Sequence, residues 1–470
     1  MPLRSRFKYL RLRPFDISTP EGRSQERYRR AALTSLAAGM SRAVSISASL
    51  VSVPLTVRYL GTERYGLWMT ISSVIAFLSF SDLGISNGLM NGIAKAHGRD
   101  DRLLARQYVS SALLILSAIS IALGLAFTIL YPSVHWASLF RVHSYQAVVE
   151  TGPAVAAFSA CFLLNIPASI VTRIQSGYQE GYQSNLWTSS GSVLSLLTLL
   201  IVIHYHGSLA LLVLAIAGAP ILTLLMNGVA LLRRRPWLFP SWRFLRWESS
   251  KDLVRIGALF FALQIAGAVG FSSDNIVLTR ILGPEAVTQY AVPFRLFSVG
   301  AMVTSFLIAP LWPAYGEALE RRDLSWIRNT LYRSLILVGA ISIGLGGVLA
   351  LVGAKLIALW VGPQIHPSPL LLGSLAVWGV VSAVSSAVAM FLNGISVVRF
   401  QVILSLIGAS INILISVYLT RRVGIPGVVL GSIVSQIAIG LIPYYLYVRR
   451  YFTLARFTDT DASTAVLSVP

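Results

Sequence analysis

The chain has 470 residues, 55% of them hydrophobic and only 12% charged. Soluble globular proteins carry about 25% charged residues, so this composition excludes a soluble fold and makes lipid the natural solvent. The formal net charge is +20, from 38 Lys and Arg against 18 Asp and Glu. Such an excess fits either nucleic-acid binding or the cytoplasmic flanks of membrane helices, and the position of the charges decides between them.

Residues 1–30 form a basic, polar segment without an apolar stretch that ends at a small-residue cleavage site. The first apolar run, from Ala31, is therefore expected to act as the insertion signal. A spanning helix takes about 20 mostly apolar residues. Twelve such runs follow, at roughly 31–57, 66–90, 107–131, 151–172, 185–205, 208–232, 253–279, 286–312, 334–361, 368–393, 400–420 and 426–448. Turn-forming clusters punctuate them: Arg58-Tyr59-Leu60-Gly61, His97-Gly98-Arg99-Asp100-Asp101, Tyr205-His206-Gly207 and Gly362-Pro363. The expected fold class is all-α, a polytopic membrane protein of about twelve helices in two pseudo-symmetric six-helix bundles. The expected domains are a basic segment (1–30), an N-terminal bundle (31–233), a basic and aromatic linker (234–252), a C-terminal bundle (253–450) and a tail (451–470).

With the N-terminus placed in the cytoplasm, 29 Lys and Arg fall on inner segments and seven on outer ones, with Arg42 and Arg295 left inside helices. This is the positive-inside pattern, and it explains the basic balance without nucleic acid. Both termini are then cytoplasmic. The linker interleaves Arg233-Arg234-Arg235-Pro236-Trp237 with Trp242-Arg243-Phe244-Leu245-Arg246-Trp247. Beside a membrane that mixture suits anionic phospholipids of the cytoplasmic leaflet.

Sliding the sequence by 222 residues places Arg58, Leu60, Gly61 and Glu63 on Arg280, Leu282, Gly283 and Glu285. Ala96, Arg99, Asp101 and Arg106 fall on Ala318, Arg321, Asp323 and Arg328, and Leu89 on Leu311. Most of these identities are charges at helix ends or loop residues. An even number of helices per half makes this a parallel repeat about the membrane normal.

Ionisable residues inside spans cost about 2.5–3.5 kcal/mol on insertion scales unless they face protein or water. Arg42, Asp82, Asp274 and Arg295 are the clearest, with Asn87, Asn91, Gln264 and Asn275 as polar neighbours. Depth allows two pairings, Arg42 with Asp82 and Asp274 with Arg295. Either the arginines offer a planar donor fork to an anionic substrate, or the pairs hold helices in register. Cys161, alone, forms no intrachain disulfide. His204 and His206 do not share a helical face, so a turn rather than a metal site is expected. No catalytic constellation, metal spacing or phosphate-cradling loop stands out, which gives no enzyme and no cofactor.

Tyr59-Leu60-Gly61-Thr62-Glu63-Arg64-Tyr65-Gly66-Leu67-Trp68 and Phe80-Ser81-Asp82-Leu83-Gly84-Ile85-Ser86-Asn87-Gly88-Leu89 resemble the first two helices of bacterial polysaccharide biosynthesis flippases. These are the O-antigen flippases and relatives in the multidrug/oligosaccharidyl-lipid/polysaccharide (MOP) exporter superfamily. Leu282-Gly283-Pro284-Glu285-Ala286-Val287 with Tyr290 is similar to the stretch that opens the second half. The resemblance covers about 31–450. It implies two six-helix bundles facing each other as a V, in the bacterial inner membrane. The implied cargo is an undecaprenyl-pyrophosphate-linked oligosaccharide, moved outward by alternating access, with Arg42 and Arg295 on the helices where related flippases place cavity arginines. Other polysaccharide-assembly membrane proteins are implied partners. Three rival readings are a cation-coupled multidrug antiporter using Asp82 and Asp274, a membrane glycan polymerase or ligase, and a non-transporting scaffold. The short outer loops disfavour the polymerase.

Overall fold

A computed structural model describes residues 7–458, apart from Leu12, Ser79, Arg141 and 362–364. The turn at Gly362-Pro363, the outer charge of Arg141 and the terminal parts of the N-terminal segment and tail lie outside the described residues. All regular structure among the described residues is helical: α1 (Pro20–Leu78), α2 (Ile85–Gly98), α3 (Arg102–Leu130), α4 (Trp136–Leu139), α5 (Tyr145–Ala168), α6 (Ile170–Gly177), α7 (Gly181–His204), α8 (Leu209–Val213) and α9 (Ala219–Arg234). After the linker come α10 (Trp247–Leu282), α11 (Pro284–Ile308), α12 (Leu311–Glu320), α13 (Leu324–Val361), α14 (Pro369–Gly394), α15 (Val398–Val423), α16 (Pro426–Ser435) and α17 (Ile442–Thr458).

Eleven helices among the described residues are long and apolar enough to cross a membrane. The expected span at 66–90 is the one that departs. Its helix ends at Leu78, and α2 starts only at Ile85. Leu83 and Gly84 take left-handed backbone, at φ 48° and 72°, and this breaks the run. The chain is an all-α polytopic membrane protein. Large apolar side chains stand exposed along its helices, among them Leu50, Ile129, Leu351 and Leu414, which lipid rather than water solvates.

The chain divides into two compact units, Met1–Phe261 and Ala262–Pro470. Unit 1 has one apolar core around Leu89, Ile93, Leu116 and Ile174, and another around Leu67, Val155, Leu199 and Leu212. The linker packs onto the first. Leu238 is fully buried there, and Phe239 O accepts from Arg106 Nε at 2.9 Å. Unit 2 is centred on Leu278, Ile357, Leu372, Leu375 and Val428.

Each unit repeats the same local devices, most of them at the 222-residue offset. Gly61 (φ 74°) kinks α1 and Gly283 (φ 91°) separates α10 from α11, both in backbone that L side chains avoid. Asp101 Oδ1 accepts from Leu104 N at 2.9 Å, and Asp323 Oδ1 from Trp326 N at 3.2 Å, so a carboxylate caps α3 and α13 alike. π-helical turns occupy Leu214–Gly218 and Gln436–Leu441. A Cβ on Gly177 would lie 2.7 Å from Ile93 Cβ, and one on Gly394 would lie 2.6 Å from Tyr315 Cβ. Ile93 and Tyr315 are themselves 222 residues apart, so the close helix approach is also repeated.

Candidate functional site

Within unit 2, a cavity of about 320 Å³ opens between α10, α11, α14, α15, α16 and α17. Asp274 lies in the apolar helix α10, is 8% exposed, and lines this cavity. Tyr290 of α11 donates its hydroxyl to Asp274 Oδ2 at 3.0 Å. Among the described residues Oδ1 has no hydrogen-bond partner. A buried carboxylate with one satisfied oxygen retains acceptor capacity toward a proton, a cation or a donor group.

The opposite wall comes from α15 and α16. Asn412 Oδ1 accepts from Ser416 Oγ at 3.0 Å and from Ser432 Oγ at 3.3 Å. Ser435 Oγ is turned to Gly408 O, at 2.9 Å. Gln436 opens the π turn that follows, and such turns widen a helix where a function needs space. The lining thus combines one carboxyl with an amide pair and hydroxyls in otherwise apolar walls, the composition of a small polar-ligand site.

Of the residues singled out from the sequence, Asp274 alone lines this cavity. Gln264 and Asn275 are half-buried on α10, and Asn275 Oδ1 is without a partner. Arg295 is exposed on α11, and its carbonyl accepts from Ser298 Oγ at 2.7 Å. It forms no ion pair with Asp274. In unit 1, Arg42 is exposed on α1 and likewise forms no ion pair with Asp82. Asp82 instead builds the turn into α2: its Oδ1 accepts from Gly84 N at 3.0 Å and its carbonyl from Ile85 N at 2.9 Å. Asn91 is buried in α2 and Asn87 half-buried.

Sequence reading placed Tyr290 only in the motif that opens the second half, and missed its bond to Asp274 and the wall of Asn412, Ser432, Ser435 and Gln436. Their signal was available as Asn412 and Ser416 four apart, and Ser432, Ser435 and Gln436 at helical spacing, on otherwise apolar helices. It also missed the buried amide pair Gln175–Asn227, which exchanges hydrogen bonds of 2.7 and 3.0 Å between α6 and α9.

The linker end of unit 1 is a collar of arginines. Arg235 makes a two-pronged pair with Glu180, at 2.7 and 2.9 Å, and lies 4.3 Å over the Tyr178 ring. Arg30 donates to Tyr178 O at 2.8 Å. Burial pushes the Tyr178 hydroxyl up to about 12, so it stays a neutral donor. Trp242 and Trp247 stand 77% and 81% exposed beside this collar.

A family model described as polysaccharide biosynthesis protein matches residues 35–318, more than half of the chain. The chain belongs to this family. A Salmonella typhi protein assigned as an O-antigen transporter is 23% identical over 421 residues, covering 87% of this chain and 94% of its own. A Yersinia pseudotuberculosis protein assigned to O-antigen export is 23% identical, covering 60% of this chain and 64% of its own. Among solved structures, a MATE protein in its bent conformation superposes with a TM-score of 0.77 at 16% identity, over 92% of this chain and 97% of its own. A MOP-superfamily transporter from Pyrococcus furiosus gives 0.73 at 17% identity, over 91% and 96%. The chain is therefore a multi-pass, all-α membrane protein of the polysaccharide biosynthesis family, and its fold is that of the MATE structures. Family identity implies a polysaccharide or lipid substrate class.

Proposed function

We propose that this protein moves a lipid-linked oligosaccharide, its lipid carrying a pyrophosphate, across the bacterial inner membrane by alternating access. The supporting observation is the nearly full-length similarity to proteins assigned to O-antigen transport, joined to membership of the polysaccharide biosynthesis family. A pyrophosphate and its sugars cannot cross hydrocarbon unaided, because burying unpaired charge and polar groups is prohibitive. A polar passage carries the head group while the lipid tail stays in the bilayer. Arg42 and Arg295 have no ion-pair partner among the described residues, which favours cargo contact over an internal salt bridge for both. Asp82, Asn87, Asn91, Gln264 and Asn275 are assigned supporting polar roles along the same passage. Both termini are assigned to the cytoplasm from the distribution of Lys and Arg. The collar at 234–252 is assigned to anionic phospholipid, and other polysaccharide-assembly membrane proteins to transient contact.

Asp274 supports a second reading, cation-coupled drug antiport, since a buried half-satisfied carboxyl suits a proton or cation. Depletion in a host strain separates the two. The glycan reading expects lipid-linked oligosaccharide to accumulate on the inner leaflet. Unchanged delivery to the outer leaflet, together with gained sensitivity to cationic drugs, would make the antiporter reading correct.

A further inference from the structure

The geometry points to a saccharide-binding pocket at the end of unit 1 where α1 kinks, lined by none of the residues assigned to the passage or to the cavity of unit 2. The pocket has a volume of about 580 Å³, within the range of about 300–1,000 Å³ typical of small-molecule sites. Its frame is fixed by polar ties. Tyr59 donates to Gly207 O at 2.8 Å and its ring stacks on His206, centroids 6.4 Å apart. Arg64 donates to Leu60 O at 3.0 Å and to Glu150 Oε2 at 3.1 Å.

Onto this frame are mounted groups with nothing to hold. Arg58, Tyr145 and Gln146 line the pocket, and none of their side chains has a hydrogen-bond or ion-pair partner among the described residues. The Tyr145 ring is 83% exposed. Flat aromatic faces, a planar guanidinium, an amide and a carboxylate answer a sugar ring: its C–H face packs on an aromatic ring, and its hydroxyls both donate and accept. A phospholipid headgroup answers Arg58 and the membrane interface answers Tyr145, but neither calls for Gln146 beside Glu150, and a purely anionic ligand would not call for Glu150.

The scaffold does not require them either. The second unit builds the same rim with the same kink, and there the corresponding residues are apolar or small. At the 222-residue offset Tyr59 becomes Ile281 and Arg64 becomes Ala286. Aligning the capping serines Ser144 and Ser368, Tyr145 becomes Pro369, Gln146 becomes Leu370 and Glu150 becomes Ser374. Only Arg58 keeps its counterpart, Arg280. Tyr145 and Gln146 therefore stand out: neither is tied into the frame, and neither has a polar counterpart in unit 2. The sugar class rests on the glycan reading of the cargo, and the pocket would receive its terminal saccharide units.

The test uses the full chain in phospholipid nanodiscs, with free di- to tetrasaccharides of hexose and N-acetylhexosamine and with inorganic pyrophosphate. Saturation-transfer NMR and calorimetry report binding. At least one saccharide is expected to bind, and Tyr145→Ala and Arg58→Gln are each expected to weaken it about tenfold. Lys355→Gln, an exposed cation outside the pocket and outside the assigned passage, should leave it unchanged. Both rim side chains are exposed and unpaired, so an unaltered thermal midpoint confirms that the variants are folded. Absence of saccharide binding, binding indifferent to both rim variants, or displacement of every saccharide by pyrophosphate overturns the proposal. Lipid-linked oligosaccharide transport is measured separately in proteoliposomes. Its absence would refute the cargo reading and leave the pocket to be decided by saccharide binding alone.

Discussion

The two units share a scaffold and differ in chemistry. Unit 1 bends at Gly61, caps α3 with Asp101 and carries a π turn at Leu214–Gly218; unit 2 does the same with Gly283, Asp323 and Gln436–Leu441. At the position 222 residues before Asp274, unit 1 has Ser52, whose hydroxyl returns to Ser49 O, and in place of Tyr290 it has Trp68, packed on Phe158. Conversely, the polar rim of unit 1, Arg58 apart, is apolar or small in unit 2. What the units share is backbone geometry that folding needs. What they do not share marks where each was fitted to a task.

The largest expected effect tests the shared part. Gly177→Leu and Gly394→Leu should each abolish the folded protein, because even a Cβ would meet a neighbour at 2.7 or 2.6 Å. The milder alanine variants should each cost about 1–3 kcal/mol through overpacking. Thermal unfolding in detergent checks both, and a large effect in one unit alone would break the structural equivalence.

Next comes the unshared carboxyl. Asp274→Ala should lower transport at least about tenfold, equivalent to about 1.4 kcal/mol, with little change in thermal midpoint. Ser52→Ala should leave transport within about twofold. Equal losses at both positions would remove the asymmetry.

A smaller effect concerns the rim. Arg64 and Glu150 have side chains 18% and 20% exposed, so a double-mutant cycle with alanine should give a coupling of about 0.5–1 kcal/mol. The equivalent positions, Ala286 and Ser374, have nothing to couple.

The smallest is a pH effect. Glu63 Oε1 accepts from the backbone N–H groups of His143 and Ser144, at 2.6 and 3.2 Å, and these hold its carboxyl down to about 2 from the ordinary 4.5. A depressed carboxyl stabilises above its unfolded value and loses that contribution as pH falls toward the folded one. Amide exchange at His143 and Ser144 should therefore speed up, relative to intrinsic rates, as pH drops from 4.5 toward 2. In unit 2 the His366 N–H is accepted by Gln289 Oε1 at 3.2 Å, an amide that takes up no proton in this range. It should show no such change.

Much of this fold was legible in the sequence because lipid imposes a simple code: long apolar runs, broken by loops and flanked by arginine. The repeat was legible for a related reason, since its identities lie at helix ends, where backbone geometry restricts the residue choice. The break at 80–84 was harder to read, because Asp82-Leu83-Gly84 sits within an otherwise continuous apolar run. There a short carboxylate-anchored turn overrides hydropathy. The site was half legible. A buried charge such as Asp274 announces itself by its cost. Its partners Tyr290, Asn412 and Ser432 are neutral and common in membrane helices, and only packing shows that they converge. The Arg42–Asp82 and Asp274–Arg295 pairings were inferred from depth alone. Depth leaves the rotation of each helix about its axis undetermined, and Arg42 and Arg295 both stand exposed.

The most direct measurement is reconstitution. Proteoliposomes containing the purified chain are loaded with a pyrophosphate-linked polyprenyl oligosaccharide and challenged with a membrane-impermeant glycosidase. The account predicts that protein-containing vesicles expose nearly all of the oligosaccharide to the enzyme, whereas empty vesicles protect about half, and that Arg42→Gln with Arg295→Gln abolishes the difference. Equal protection in both kinds of vesicle, from protein that still extrudes a cationic dye, would contradict it.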